Sequence, residues 1–511
     1  MKRATRFMLE TVSYRGAFLW AYRADFSRCW GELEARRSML WVQPPGTPGV
    51  GHVLLDALHA TGDDFYYEAA LHVARALIGA QHPSGGWNYV HDLAGPDSLA
   101  DWYRTIGRNA WRLEEFHQHP DNSTFDDSCT ASAGSFLLRM AIERGDMDCR
   151  AAFDRVLGLL ARSQYPNGGW PQRYPLRDDY TRFVTFNDNV IGDNIELLLM
   201  ASVALGDPQP SELARAAMDC MLMLQRAAPE CGWGLQHTAD GAPAPARSFE
   251  PRALVTHTSA NNLRQLMNFH ELTSDPKYLA RVADGIDWLE RVQLPAPLAP
   301  EPGGTHPTFI ELGTGEPLYV HRRGSNVFNG SYYHDKVSPP RLSHYSSVRA
   351  IDVAALRQRF RVLSARPGAA GAPRGLLGRA RANHMALSTP TELPRYFSLS
   401  GVEAHHLSGA APLSVKRGDP AHAKGLIEGL SAAGAWLGPL EFTSNPYLGP
   451  GDARAFDGDT YVSKHVGDSS DTSPYRPREA PTTYAREPAP LGVSVRTFIE
   501  NLASLIAVVK P

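Results

Sequence analysis

Four times along this chain a helix-forming run halts at a glycine or serine followed by aspartate and restarts at once. Val50 to Ala60 reads as a helix, stops at Thr61-Gly62-Asp63, and resumes from Phe65 to Ala80. Thr130 to Glu143 stops at Gly145-Asp146 and resumes from Arg150 to Ser163. Asn189 to Ala204 stops at Gly206-Asp207-Pro208 and resumes from Ser211 to Arg226. Ser259 to Leu272 stops at Ser274-Asp275-Pro276 and resumes from Lys277 to Val292. A residue in the left-handed conformation ends a helix, and the following Asp accepts the first N–H bonds of the next. So short a connection makes the two helices antiparallel. After the first two pairs comes a Gly-Gly-Trp turn, at Gly85-Gly86-Trp87 and Gly168-Gly169-Trp170, and after the third comes Cys231-Gly232-Trp233-Gly234.

The first helix of each pair is apolar over much of its surface, as in Ile195 to Leu205, and the second carries more charge, as in Arg281 to Glu290. Helices apolar all round are buried. Inner helices ringed by outer ones predict a mainly α fold, an α/α toroid of repeated antiparallel pairs. Units recur unevenly, every 60 to 80 residues roughly, so long loops decorate the ring. Each long loop joins an outer helix to the next inner one, which sends all of them to the same rim. The richest runs through Tyr165 to Leu197, and long loops of this kind carry function more often than filler.

Beyond about Leu294 the pattern changes. Proline is dense to Pro307, Phe309 to Arg323 alternates like strands around a turn, and Ser364 to Arg381 reads as a linker. Residues beyond Pro390 look strand- and turn-rich, with residues 456–477 as a polar loop. A final helix, Val495 to Val509, has an apolar face that must dock on something. The expected organisation is a toroid over residues 1–350 with the catalytic rim loops. Residues 351–511 form an extension, partly strand and loop, whose last helix docks on the toroid.

The 511 residues carry a net charge of −3, so no basic excess argues for nucleic acid. No run approaches a membrane span. A monomer is expected. Five cysteines, Cys29, Cys129, Cys149, Cys220 and Cys231, show neither zinc spacing nor a disulfide framework and read as small buried residues. The basic start, MKRATRFMLETVSYRG, has no apolar segment after it and is not a signal peptide as written.

Three sets of rim residues carry possible chemistry. Asp126, Asp127 and Asp188 precede inner helices. They either cap those helices or gather around a divalent cation such as Ca²⁺, since clustered carboxylates repel unless a cation or proton joins them. Trp87, Trp170 and Trp233 either pack the outer-to-inner connection or offer a sugar-stacking face, with Trp170 favoured by its loop. Arg173, Arg182, Arg247, Arg322 and Arg323 are singly ordinary surface charges, but several at one rim suit carboxylate recognition.

In this order the residues resemble polysaccharide lyase family ten, the pectate lyases with an α/α toroid. The match is strongest at NGGWPQRYPL and FVTFNDNV, within Asn167 to Val190. TFDDSCT at Thr124 to Thr130, GWGLQHTADGAPAPARSFE at Gly232 to Glu250, and FIELGTGEPLYVHRR at Phe309 to Arg323 extend it. Together these cover roughly Asp121 to His334. The resemblance implies that Arg247 is the catalytic base and that Asp126, Asp127 and Asp188 surround a Ca²⁺. It implies that Arg322 contacts a neighbouring uronate, and that Trp170, Arg173, Arg182, Asn187 and His237 bind substrate. Secretion or a periplasmic location is implied by the resemblance only. Three positions depart from the family pattern: Asp127 stands for an Asn, Thr308 for an Arg, and Thr238 for an Asp.

The implied reaction is calcium-assisted β-elimination in (1→4)-linked polygalacturonate. Another polyuronate, hydrolysis on the same barrel, and a non-catalytic carbohydrate-binding toroid are the alternatives.

Overall fold

The computed structural model describes residues 1–109, 114–295, 303–323, 331–337, 347–365, 419–440 and 491–509. Most of the segment expected to be a linker, the polar loop at 456–477, and the side chains of Arg322 and Arg323 lie outside the described residues. The described chain divides into two compact units. One holds Met1–Leu159 with residues 419–440 and 491–509; the other holds Leu160–Arg323 with residues 331–337 and 347–365.

The fold is mainly α, built from the antiparallel pairs of the α/α class. In the first unit α1 (Thr47–Thr61) is followed by α2 (Asp64–Gly79), and α3 (Cys129–Arg144) by α4 (Met147–Ser163), which runs across the division. In the second unit α5 (Val190–Leu205) pairs with α6 (Pro208–Met223). There α7 (Thr256–Thr273) is followed by α8 (Val282–Arg291). The punctuation works as expected. Gly62, Gly145, Gly206 and Ser274 take φ of 68, 68, 66 and 58°. Asp63, Asp146, Asp207 and Asp275 then accept the N–H of Phe65, Cys149, Gln209 and Lys277.

The fourth outer helix differs from the expected continuous run. Pro276–Leu279 forms a 3₁₀ turn before α8 begins. Arg281 stands at the break with φ −121°, and its guanidinium donates to the carbonyls of Gln225 and Arg226 past the end of α6. Those two bonds hold the chain out of helical register.

Each outer-to-inner connection is built on one plan. Gln81, Gln164 and Gln225 donate to a carbonyl of their own turn, at Gly85, Gly168 and Cys231, and to one on a later segment, at Ala152, Leu213 and Arg281. The indoles of Trp87, Trp170 and Trp233 donate back to Leu77, Leu160 and Met221. The Trp carbonyls accept the N–H of Thr124, Thr185 and Val255, residues that lead into the next inner helix. Gly168 is required by its conformation and its neighbours: φ is +88°, and a Cβ would lie 2.1 Å from the Ala216 carbonyl.

Small sheets fasten the remaining segments. In the first unit Leu491–Ser494 pairs with Ala21–Arg23 and with Leu437–Pro439, and α10 (Val495–Val509) packs on α1. In the second unit α9 (Val353–Ser364) packs on α7 and α8. Among the described residues after 350, Val353–Ser364 lies in the second unit, and residues 419–440 and 491–509 lie in the first. Phe309–Ile310 and Pro317–Arg323 pair around a turn, as their alternation predicts. All five cysteines are buried and free. Among the described residues no helix is long and apolar enough to cross a membrane.

Candidate active site

Each unit carries the same acidic turn in front of an inner helix. Thr124-Phe125-Asp126-Asp127-Ser128 leads into α3, and Thr185-Phe186-Asn187-Asp188-Asn189 leads into α5. In both, two successive non-glycine residues are left-handed: Asp127 and Ser128 at φ 48 and 56°, Asp188 and Asn189 at φ 46 and 60°. Such residues cost on the order of 1–3 kcal/mol each and persist where the surroundings impose them, commonly at functional sites. Capping does not explain the turns. The N-cap residues are Ser128 and Asn189, and neither makes a side-chain cap bond.

In the first unit Asp126 is buried and Asp127 half-buried. The Tyr89 hydroxyl donates to Asp126 Oδ2, and Gln43 Nε2 donates to Asp127 Oδ2 at 2.7 Å. In the second unit two loops meet: the Leu235 carbonyl accepts the N–H of both Phe186 and Asn187. Val184–Thr185, Gln236–His237 and Pro243–Ala244 form a three-stranded ribbon. Asn187 Nδ2 donates to Asp188 Oδ2 at 2.8 Å.

Arg247 stands beside that turn. Its Nη2 lies 3.7 Å from Asp188 Oδ2. Glu250 grips it three ways: Oε2 accepts the backbone N–H and Nε, both at 3.0 Å, and Oε1 accepts Nη2 at 2.9 Å. Between them Phe249 lies 5.2 Å under the guanidinium. It enters a core with Leu235, Val255, Phe309, Leu318 and Val320, so the Arg247 turn is pinned from below. A fork held at both prongs presents its charge in one orientation.

Residues 100–297 match the family model described as pectic acid lyase. This stretch is similar to the pectic acid lyases. The resemblance read from the motifs is confirmed over that segment, and the enzyme class is polysaccharide lyase. Solved structures similar to the chain include a family 10 polysaccharide lyase from Cellvibrio cellulosa. It is 20% identical, covers 52% of this chain and 84% of its own, and has a TM-score of 0.37. A mutant of that lyase in complex with trigalaturonic acid is 20% identical over 53% and 85%, at TM-score 0.37. The cellobiose 2-epimerase from Spirochaeta thermophila is 13% identical over 71% and 94%, at TM-score 0.34. No curated protein sequence matches the chain.

The other residues expected in the lyase site fall into two groups. Arg182 is exposed, pairs with Asp178 and lies over Phe183, while Arg173 is buried at 3% exposure. Arg322 sits opposite Tyr332 where strands Pro317–Arg323 and Ser331–Asp335 pair. Trp170 and His237 are both buried. Trp170 has no exposed surface, and its indole N–H is engaged by Leu160, so no face of it is open to a sugar ring. His237 is likewise buried; Nε2 accepts the Gly234 N–H, which leaves Nδ1 to donate to the Gly241 carbonyl, both at 3.0 Å. Burial holds its pKa down to about 4, offset in part by the Gly241 bond, so it is neutral near pH 7. It meets Phe186 edge-on at 5.4 Å and so supports the Asn187-Asp188 turn from behind.

Tyr89, Gln43 and Glu250 also contribute to these turns. Glu250 stands three residues from Arg247, a spacing that signals an ion pair within one turn. Gln43 and Asp127 are separated by 84 positions, and no local pattern joins them.

Proposed function

We propose that the protein cleaves (1→4)-linked polygalacturonate by β-elimination, with Arg247 taking the proton from C5 of the sugar. The C5–H electron pair then forms the C4–C5 double bond as the C4–O bond breaks, and the departing oxygen keeps that bond's pair and takes a proton from water. The observation that supports this most is the clamped guanidinium: Arg247 is held by Glu250 beside Asp188, in the segment with the pectic acid lyase pattern.

C5–H is a weak acid because its electrons move onto a carboxylate that is already charged. Charge-stabilising groups that act most strongly as this second charge develops raise the rate, not merely the affinity. In this proposal Asp126 and Asp127 of the first unit, and Asp188 of the second, supply carboxylates to a metal ion. Their donors, with the Asn187 amide, are hard oxygens and include neither thiolate nor imidazole, which fits Ca²⁺. Bound there, Ca²⁺ would act as a Lewis acid toward the substrate carboxylate. Free arginine keeps its proton at neutral pH, so base action demands desolvation that favours the neutral form, against the pull of the Glu250 carboxylate toward the charged one. Burial to 12% side-chain exposure and the Glu250 clamp supply the orientation.

The test is incubation with polygalacturonate, with and without EDTA, followed by ultraviolet absorbance. Absorbance rising only when the divalent ion is present is the expected result. Saturated products, or a rate indifferent to EDTA, would remove calcium-assisted elimination.

A further inference from the structure

The acid pair of the first unit is aimed by residues that lie outside the pectic acid lyase segment. Gln43 follows the strand Met39–Trp41, which pairs with Val90–Asp92, the strand after Tyr89. Both side chains are buried, at 5% and 1% exposure.

The Gln43 amide has one possible orientation. The indole of Trp41 can only donate, and it donates to Gln43 Oε1 at 3.0 Å. The amide oxygen is therefore occupied, and both amide hydrogens are directed elsewhere. One goes to Glu32 Oε2 at 3.1 Å, the other to Asp127 Oδ2 at 2.7 Å. The Gln43 backbone is fixed as well, because its carbonyl accepts the indole N–H of Trp20 at 2.8 Å. A neutral donor thus stands between two carboxylates and separates their charges without adding one. Tyr89 does the same for Asp126: its hydroxyl donates to Oδ2. Its ring is wedged against Phe116 at 5.2 Å, and its own N–H is tied to Asn88.

We propose that Gln43 and Tyr89 are positioning residues for the metal-binding acids, each holding one carboxylate oxygen of Asp127 or Asp126 in its rotamer. This rests on the calcium reading given above. Partners of this kind orient a ligand, and losing one typically lowers metal affinity ~10–100-fold. The positive-φ turn at Asp127 and Ser128 makes the assignment sharper. A strained backbone fixes where the side chains start, and these two donors fix where they end.

The experiment is calorimetric titration of the full chain with CaCl₂, for the wild type, Gln43→Ala and Tyr89→Phe. It is accompanied by kcat and KM on polygalacturonate across a calcium series. Tyr89→Phe keeps the ring that packs on Phe116, so it serves where Gln43→Ala fails to fold; metal-free melting curves report on that. The expected result is Ca²⁺ affinity ~10–100-fold weaker in Gln43→Ala and about 10-fold weaker in Tyr89→Phe, with kcat restored at saturating calcium. A structural defect would not be restored by calcium. Wild-type affinity in both variants overturns the positioning role while leaving the calcium reading intact. A wild type that takes up no calcium overturns that reading, and this inference with it.

Discussion

At the scale of single residues the site turns on Arg247 and the carboxylate that holds it. Glu250 has 1% side-chain exposure and makes three bonds to Arg247, so Glu250→Ala strands a largely buried guanidinium. Removing one partner of a buried pair costs about 3–5 kcal/mol. Glu250→Ala is therefore expected to lower the unfolding free energy by that order in denaturant titrations, and to depress elimination about as far as Arg247→Ala. His237 gives a pH signature. Its folded pKa of about 4 lies below the ordinary 6.5, so the unfolded chain binds more protons between those values. Stability is then full above pH 6.5 and falls as pH drops toward 4, by on the order of 2–3 kcal/mol from this residue. His306 and His91, also held down chiefly by burial, act with the same sign. Unfolding midpoints measured from pH 7 to 4 should fall steeply in the wild type and less so in His237→Gln.

At the scale of elements, the helix pairs were legible because their signals are local. Glycine in a left-handed stop and aspartate as the next cap act within two or three residues, and each recurs four times or nearly so. The break in the fourth outer helix has no local signal, because it depends on Arg281 reaching the end of α6, 55 and 56 positions back in the chain. Trp170 illustrates the limit at a loop. A rim tryptophan looks the same in sequence whether it stacks on sugar or packs inward. What decides is the indole bond to Leu160 and the turn that puts Gly168 against α6. That joint can be tested. Gly168→Ala sets a Cβ 2.1 Å from the Ala216 carbonyl at positive φ, and is expected to cost more than ~1–3 kcal/mol in thermal or denaturant unfolding. Asp188 and Arg247 were legible through the loops that carry them. Gln43 and Tyr89 were not, because a hydrogen bond across 84 positions leaves no periodicity to read.

At the scale of the whole chain, the last described helix is built into the first unit. Phe498, Ile499, Leu502 and Leu505 are buried in α10, which packs on α1. Deleting residues 495–511 removes burial of roughly 1.5–3 kcal/mol for each large apolar side chain. The first unit is expected to melt well below the full-length midpoint in scanning calorimetry. Through Asp126 and Asp127, calcium affinity should weaken as well. The measurement that reaches furthest is ultraviolet-detected product formation by Arg247→Ala at saturating calcium and polygalacturonate, with oligogalacturonate binding measured in parallel. A base lost from an intact site predicts binding retained and elimination slowed by roughly 10²–10⁴-fold. Elimination near the wild-type rate would show that some other group removes the C5 proton.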